Sequence, residues 1–294
     1  MAETYDQTGK DGVKRPGKNW ETWRRLQRNK IAVFSLAVLV ILVFVAVFAD
    51  FIAPYSYSEQ NLRELLQPPS SRHLLGTDQY GRDILSRLIY GARISMSVGL
   101  VAVGLALAAG GILGAIAGYY GSWIDNGIMR CMDIMLSIPS VLLALAIVAT
   151  FGTSLPNLMI ATGISTVPGY ARLIRASVLS HRDQEYVEAA RAVGAGDGEI
   201  ILRQILPNCL APILVQATFG VATAILTVAG LSFVGLGLQP PIPEWGSMLS
   251  EARNYIRDYS YMLISPSIAI ALTVFCFNAL GDGLRDALDP KLRT

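Results

Sequence analysis

Residues that could carry out chemistry are few in this sequence. The candidates include two histidines and three cysteines: His73, His181, Cys131, Cys209 and Cys276. The spacing of the cysteines matches no metal or redox motif, and Ser232, within an apolar stretch, has no histidine at the same depth to activate it. The chain also lacks a P-loop pattern of glycines followed by Lys and Ser or Thr. We therefore predict no catalytic site, no metal and no cofactor in this chain.

The segment 183–207 instead predicts contact with a partner. Asp183 suits the N-cap of a helix over residues 186–193, and the glycines at 194–198 would stop it. Four residues at helical spacing form a small apolar face: Tyr186, Ala189, Ala190 and Val193. The helix is too short to cross a membrane, so this face must lie on lipid or fit a partner's groove. Small alanines favour docking into a partner, whereas a lipid anchor would use larger side chains.

Two further segments carry polar patterns that predict surface helices. In 50–93, Thr77 or Asp78 can cap a helix on which Asp83 and Arg87 stand four residues apart. Its apolar face is formed by Leu85, Leu88 and Ile89. We expect this helix to lie on the extracytoplasmic surface of the membrane, before the second span. In the proline-rich segment 239–260, Trp245 is expected to anchor at the membrane interface.

The elements that must position these segments are membrane spans. Hydrophobic residues make up 52% of the chain and charged residues only 16%, against about 25% charged in soluble domains. The charges are also segregated, leaving five uncharged stretches: 31–49, 94–124, 134–171, 204–243 and 259–281. Each is long enough for a spanning helix, which needs about 20 apolar residues. The net charge of +2 is too small to indicate a nucleic-acid partner.

Five uncharged stretches predict six spans. The stretch 134–171 is too long for one helix, and the turn signal at 152–157 divides it into Met135–Phe151 and Leu158–Ala171. In 204–243, prolines crowd both ends and leave one span, Ile213–Leu236. These spans contain no ionisable side chain, which argues against a proton-driven carrier. A sodium-coupled carrier and a scaffold without a pathway remain alternatives.

Lys and Arg residues set the orientation. The segments 1–30, 119–133, 172–208 and 282–294 together contain 17 of the 24 cations, so both termini are predicted to be cytoplasmic. The predicted organisation has five parts. They are a cytoplasmic tail and lipid-contacting interfacial helix (1–30), a first span (31–49), an extracytoplasmic loop with a surface helix (50–93), a five-helix core containing the cytoplasmic loop 172–208 (94–281), and a cytoplasmic tail (282–294).

The second span carries a stripe of small residues. Gly110, Gly114 and Gly118 are four residues apart and stack on one helix face. In a membrane, glycines at this spacing let two helix backbones approach closely. The stripe therefore predicts tight packing against another span, the lining of a pathway, or both.

The cytoplasmic segment resembles the EAA loop of ABC importer permeases. The similarity lies in Glu188-Ala189-Ala190, then Gly194 after three residues, and a closing Leu206-Pro207. Gln204 stands where the family pattern has Ile. Three other stretches resemble the dipeptide/oligopeptide/nickel group of these permeases: Gly76-Thr77-Asp78 with Gly81-Arg82-Asp83, Gln239-Pro240-Pro241 with 243–246, and 281–291.

This resemblance implies an all-α, six-span type I ABC importer permease (MetI-like) fold in the bacterial inner membrane. It implies peptide transport with a homologous second permease, two ATPase subunits that bind ATP and Mg, and an extracytoplasmic peptide-binding protein. The implied ATPase-coupling residues are Tyr186, Glu188, Ala189, Ala190, Val193, Gly194 and Pro207. The candidates for contact with the binding protein are Gly76, Thr77, Asp78, Gly81, Arg82, Asp83 and Trp245. Dipeptides, oligopeptides, glutathione-like peptides, D-amino-acid peptides and nickel all remain open as cargo.

Overall fold

Every element that is long enough to cross a membrane is a helix. The computed structural model describes residues 18–288, with side chains from Trp23 onward. The helices are α1 (Lys18–Arg28), α2 (Lys30–Val47), α3 (Ala49–Ile52), α4 (Ile84–Tyr120), α5 (Ser122–Leu136), α6 (Ser140–Phe151), α7 (Leu155–Leu179), α8 (Glu185–Ala192), α9 (Asp197–Glu199), a π-helix (Ile200–Ile205), α10 (Leu206–Phe233), α11 (Trp245–Ala252), a 3-10 turn (Arg253–Tyr255) and α12 (Tyr261–Leu288). This confirms the predicted all-α class.

Four helical runs are long and apolar enough to cross a membrane: α2, α4, the continuous run Asp197–Phe233, and α12. Helices α5 and α6 meet at 83° and make a fifth crossing if the pair forms one broken span. Helix α7 has 25 residues, which is long enough at about 1.5 Å per residue, but Arg172 and Arg175 make its second half more polar. The six-span count and the cytoplasmic position of both termini therefore stay predictions.

Helices α4 and α7 lie side by side and run in the same direction. The stripe of Gly110, Gly114 and Gly118 faces α7 along its length. A Cβ on Gly114 would lie 2.4 Å from the carbonyl oxygen of Ala171, and one on Gly118 would lie 2.8 Å from Cβ of Val178. Only glycine allows the two backbones to come this close. The predicted tight packing between spans is confirmed.

Helices α10 and α12 complete a bundle with two distinct ends. Helix α10 runs antiparallel to α4, with Gly99 against Ile225, and α12 runs antiparallel to α10, with Gly281 against Thr218. Gly283 of α12 lies against the start of α2. The ends of α4, α7 and α12 thus meet the starts of α2 and α10 beside α8, and we call this the α8 end. The opposite end holds residues 53–83 and α11, and we call it the α11 end.

The surface helix predicted before the second span is wrong as a separate element, because it is the first part of α4. Asp83 caps α4 by accepting a hydrogen bond from the backbone N–H of Ser86 at 2.8 Å, so neither Thr77 nor Asp78 caps it. Ile84, the first helical residue, is buried within the protein and does not face the membrane surface. No proline separates this amphipathic turn from the apolar span, so one helix continues through both.

The third predicted span, Met135–Phe151, is also wrong in its bounds. Helix α6 begins only at Ser140, because Pro139 has no backbone N–H with which to continue the preceding helix. Its 12 residues extend about 18 Å, too short to cross a bilayer core alone. Helix α5 occupies most of the predicted inside segment 119–133 and packs Met132 into the core.

The turn predicted around Gly152 is present in the structure. Gly152 has a φ of +92°, a conformation that glycine adopts without a steric penalty. The side chain of Ser154 then caps α7 by accepting a hydrogen bond from the N–H of Asn157 at 3.4 Å. Helix α7 runs to Leu179, well beyond the predicted end at Ala171.

Helix α10 begins earlier than the predicted Ile213. Pro207 lies in its first turn, directly after the π-helix. The N–H of Leu206 donates to the carbonyl of Ile201, five residues earlier, so the π-helix leads directly into α10. Pro212 lies inside α10 without ending it. The prolines therefore shape this helix and do not bound it.

The terminal segments are described in part. Helix α1 covers much of the predicted interfacial helix, and its Leu26 packs against Leu284 and Ala287 of α12. Helix α12 continues to Leu288, beyond the predicted end of the sixth span at residue 281. The predicted tails at residues 1–17 and 289–294 lie outside the described residues.

Candidate functional site

Helix α8 has a weak start and a well-defined stop. Its N-cap is Gln184, not the predicted Asp183, and no side chain caps its first turn. At the other end, the N–H of Ala195 donates to the carbonyl of Ala190 at 3.1 Å, and the N–H of Gly194 donates to that of Arg191 at 3.0 Å. This pair of bonds is a Schellman motif. Gly194 has the φ of +85° that the motif requires, so its predicted role as a helix stop is confirmed.

One face of α8 attaches it to the bundle. Val187 is fully buried, and Ala190 is partly buried, in a cluster with Ile200 and Ile205 of the π-helix and Cys209 of α10. Sequence reasoning missed Val187, because the stripe through Tyr186 accounted for the apolar spacing by itself. The available signal was the Val187–Ala190 spacing of three residues, which defines a second apolar face.

Polar contacts also fix the α8 loop to α4. The guanidinium of Arg191 lies 5.4 Å from the ring centre of Tyr119, the penultimate residue of α4. The hydroxyl of Tyr119 donates to the carboxylate of Asp197 at 2.7 Å. A displacement of α8 is therefore resisted by both α4 and the start of the α9–α10 run.

The opposite face of α8 is open. Tyr186 is 36% exposed and Val193 is 85% exposed, and Ala189 and Glu188 are exposed between them. Partial burial raises the pKa of the Tyr186 phenol. Three of the four predicted face residues thus point outward together. Ala190 is the exception, and its assignment to the outer face is corrected because it packs inward.

Ion pairs tie α5 to α7 at the α8 end. The guanidinium of Arg175 pairs with both carboxylate oxygens of Asp125, with 2.5 Å between Nη2 and Oδ2. Arg172 pairs with Asp133 at 2.7 Å. These four charges lie outside the predicted spans, which contain no charged side chain, but α5 and α7 extend beyond the predicted bounds and include them. All four charges lie toward the α8 end.

A cluster of four charges holds the α11 end together. The Nε of Arg82 donates to Asp78 at 2.6 Å, and its Nη2 donates to Glu251 at 2.5 Å. The Nη2 of Arg87 donates to the same Glu251 oxygen at 3.3 Å. Both arginines are almost fully buried, and the two cations balance the two anions. We call these residues the buried charge cluster; it joins the start of α4 to the last turn of α11.

Asp83 and Arg87, which stand four residues apart in the sequence, do not pair with each other. The carboxylate of Asp83 accepts hydrogen bonds from the N–H and hydroxyl of Ser86 at 2.8 and 2.7 Å, and lies 2.9 Å from Nδ1 of His73. Arg87 turns instead toward Glu251. Capping orients Asp83 back over the first turn of α4, away from a residue one turn further on.

The loop motif that resembles the peptide permease group is buried. Its residues Gly76, Thr77, Asp78, Gly81, Arg82 and Asp83 are all shielded from solvent. Thr77 donates to the carbonyl of Glu64 at 2.6 Å and accepts from the N–H of Gln67 at 2.8 Å. A Cβ on Gly81, which has a φ of +70°, would lie 2.0 Å from the carbonyl oxygen of Asn61. These six residues fold the loop, and their proposed contact with a binding protein is corrected on this ground.

Trp245 is likewise an internal residue. It is only 1% exposed, and its indole N–H donates to the carbonyl of Leu88 at 3.0 Å. A Cβ on Gly91 would lie 2.8 Å from the indole ring. Its predicted roles as a membrane-interface anchor and as a contact for a binding protein are both corrected. Trp245 packs α11 onto α4, beside the carboxylate of Glu244, which caps α11.

The two ends together define a class of protein. Among residues 18–288, no group of three or more His, Cys, Asp and Glu side chains is placed to hold a metal ion. A bundle of apolar helices carries an exposed short helix at one end and a closed, ion-paired cap at the other. These features define an integral membrane protein that has an exposed helical surface at one end.

Comparison with known families shows the family to which this chain belongs. The model for the inner membrane component of binding-protein-dependent transport systems matches residues 110–294. That for the N-terminal transmembrane domain of oligopeptide transport permease C matches residues 19–69. The chain belongs to the first family, and so is an inner-membrane permease subunit of an ABC importer with no cofactor of its own. In this family, separate ATPase subunits hydrolyse ATP.

Curated relatives cover almost the whole chain. The dipeptide transport system permease protein of Alkalihalophilus pseudofirmus is 50% identical over 93% of this chain and 90% of its own length. The dipeptide permease of Escherichia coli K12 is 51% identical over 93% of each chain. The glutathione transport system permease protein of Pectobacterium atrosepticum is 44% identical over 93% of this chain and 91% of its own.

A solved structure shares the fold. An inward-facing form of the MetNI methionine ABC transporter has a TM-score of 0.58 and 19% identity, covering 70% of this chain and 98% of that chain. This likeness confirms the predicted MetI-like fold. The family resemblance and the inner-membrane location expected from the sequence are confirmed as well, and the ion-coupled carrier is not supported.

Proposed function

We propose that this permease moves dipeptides across the inner membrane, as one half of a pathway shared with a homologous second permease. The support for the cargo is the set of relatives near 50% identity, which are dipeptide permeases and match over nine tenths of this chain. The glutathione permease is slightly more distant and also carries a peptide. A peptide-binding protein would deliver the cargo to the α11 end.

We propose further that α8 is the coupling helix, seated in a cleft of one of two ATPase subunits that bind ATP and Mg. The observation that carries this proposal is the division of α8 into two faces. Val187 is buried against the bundle while Tyr186, Ala189 and Val193 point away from it. A helix fixed on one side and exposed on the other can transmit a displacement without losing its own structure.

The contacts of α8 indicate where that displacement goes. Arg191 contacts Tyr119 of α4, and Val187 packs against the π-helix that leads into α10. Both helices extend from the α8 end to the α11 end. When the ATPases close and draw α8 with them, α4 and α10 move as levers and switch the pathway between inward- and outward-facing states. The free energy enters from ATP on the partner subunits.

Ala189→Trp tests the docking face. Tryptophan at this exposed position should block close seating, so that the purified complex loses most of its peptide-stimulated ATPase activity while membrane insertion stays intact. Ala189→Ser is the matched control and should keep that activity. Wild-type stimulation in the tryptophan variant would refute the placement of α8.

The variant Ala190→Trp separates docking from folding. Because Ala190 packs inward, tryptophan there should disturb the loop's own packing and increase protease cleavage within residues 184–206. Ala189→Trp should leave that cleavage unchanged. Equal protease sensitivity in the two variants would contradict the two-face description.

Uptake into vesicles containing the reconstituted complex tests the cargo. A labelled dipeptide should accumulate in an ATP-dependent manner and be displaced by excess unlabelled dipeptide, but not by nickel. Deletion of residues 188–194 should abolish both ATPase association and uptake. Uptake that survives this deletion, driven by an ion gradient, would refute the proposed function.

A further inference from the structure

A groove of about 450 Å³ opens between α7, α10 and α12 in their halves nearest the α8 end. Its walls include Leu173 of α7, Val215 and Phe219 of α10, and Arg285 of α12. Gln216 places an amide in the same groove. Ligand sites for small molecules commonly enclose about 300–1,000 Å³, with apolar walls and a few polar groups. This groove matches that pattern in both size and composition.

Arg285 gives the groove its charge. The side chain is exposed, and it takes part in none of the ion pairs found among residues 23–288. A cation near the last turn of a helix is favourable in itself, because it interacts with the helix dipole. This effect explains why Arg285 is tolerated in the last turn of α12, but not why it lines an apolar groove. A guanidinium in a partly apolar surrounding binds carboxylates well, because it donates two parallel hydrogen bonds.

The charged residues beside the groove indicate that it faces water. Arg172 immediately precedes the wall residue Leu173 and pairs with Asp133. The side chains of this pair are 55% and 50% exposed. Exposed charges of this kind lie beside water or another protein, because hydrocarbon would penalise them strongly. The surroundings of the groove therefore favour an aqueous pathway over the acyl region of the bilayer.

We propose that this groove is a station on the translocation pathway, where a peptide in transit places its terminal carboxylate on Arg285. The inference rests on the proposed peptide-import function and names the residues of this chain that meet the cargo. The amide of Gln216 can donate to and accept from the peptide bond, and Val215 and Phe219 contact an apolar side chain. An acyl chain would use the apolar walls but would have no partner for the amide.

Cross-linking in the assembled complex tests the occupant. Photoreactive benzoylphenylalanine replaces Val215 in one variant and Leu214 in another. Leu214 is the matched control, since it is next in sequence, exposed, and outside the groove. With a radiolabelled dipeptide and the binding protein present, label should attach at position 215 and not at 214. Adducts at 215 only with lipid or with the second permease, in a complex that still imports peptide, would overturn the proposal.

Arg285→Gln tests the carboxylate contact. Losing a charge-assisted hydrogen bond should lower peptide-dependent cross-linking at position 215 by about tenfold, while peptide affinity of the separate binding protein stays unchanged. Arg285→Lys should recover part of the yield. Arg130→Gln is the control, because Arg130 of α5 is an exposed cation that lies outside both the groove and the α8 loop. Equal losses in the Arg130 and Arg285 variants would show a general charge effect and overturn the assignment.

The two levels of the proposal fail in different ways. If the unmodified complex imports no peptide, the proposed function is wrong. If it imports peptide but position 215 acquires no label, the function stands and the groove assignment is wrong.

Discussion

The α8 end and the α11 end use sequence motifs in opposite ways. At the α11 end, the motif residues are internal: Arg82 and Asp78 belong to the buried charge cluster, and Trp245 fills the space beside Gly91. At the α8 end, most of the motif is exposed, and Ala189 and Val193 contact little of their own chain. A distinctive sequence pattern can therefore mark either a folding requirement or a docking surface, and burial tells them apart.

Removing one member of the buried charge cluster should have the largest effect on stability. In Glu251→Ala, Arg82 and Arg87 would share the single carboxylate of Asp78, and breaking a buried pair costs about 3 kcal/mol or more. Thermal unfolding of the purified complex in detergent should start at a lower temperature. The control is Asp258→Ala, at an exposed carboxylate of the same segment. If both variants unfold at the same temperature, the buried charge cluster does not stabilise the α11 end.

A substitution in the glycine stripe, which packs α4 against α7, should give the next largest effect on stability. A Cβ in Gly114→Ala would meet the backbone of Ala171 at 2.4 Å, so α4 and α7 must separate at a cost of about 2 kcal/mol. Gly104→Ala on the same helix is the matched control, because no atom lies within 4 Å of its added Cβ. The first variant should unfold earlier, while the second should match or exceed the parent, since alanine favours helix.

The glycine that stops α8 should contribute less to stability than the glycine stripe. Gly194→Ala forces a Cβ into a backbone with φ of +85°, which costs about 1 kcal/mol. Hydrogen exchange should become faster in the amides of α8 and remain unchanged at the α11 end. Gly198→Ala, with open space around its added Cβ, should not speed this exchange. A change that spreads to the α11 end would show that the two ends are not energetically separate.

The sequence predicted the kinds of elements better than their bounds. The lack of charge located the apolar cores of the spans, and the helix over residues 186–193 was close to α8. The predicted helix bounds were wrong where one sequence feature is compatible with two different structures. Pro207 suits a helix start as well as a helix end, and the amphipathic turn after Asp83 suits the first turns of a buried helix as well as a surface helix.

Burial was the property that sequence reasoning could not reach. Arg82, Asp78 and Trp245 are types of residue that commonly face solvent or a membrane interface. Arg82 and Asp78 are buried in a cluster that Glu251, far away in sequence, completes. Trp245 is buried against Leu88 and Gly91 of α4, which are similarly distant along the chain. Val187 could have been found from its spacing to Ala190, but the neighbours that bury it, Ile200 and Cys209, come from other elements. Partners distant along the chain decide which face of a short element turns inward.

Val193→Ser should have the smallest effect on stability. The side chain is 85% exposed, and substitutions at such surfaces usually change the free energy of unfolding by less than about 0.5 kcal/mol. If α8 docks through this face, the same substitution should still lower peptide-stimulated ATPase activity in the assembled complex. Unfolding temperature and ATPase activity measured on one preparation would separate the two properties. Loss of activity without loss of stability distinguishes a docking motif from the folding motif at the α11 end, where Glu251→Ala should reduce both.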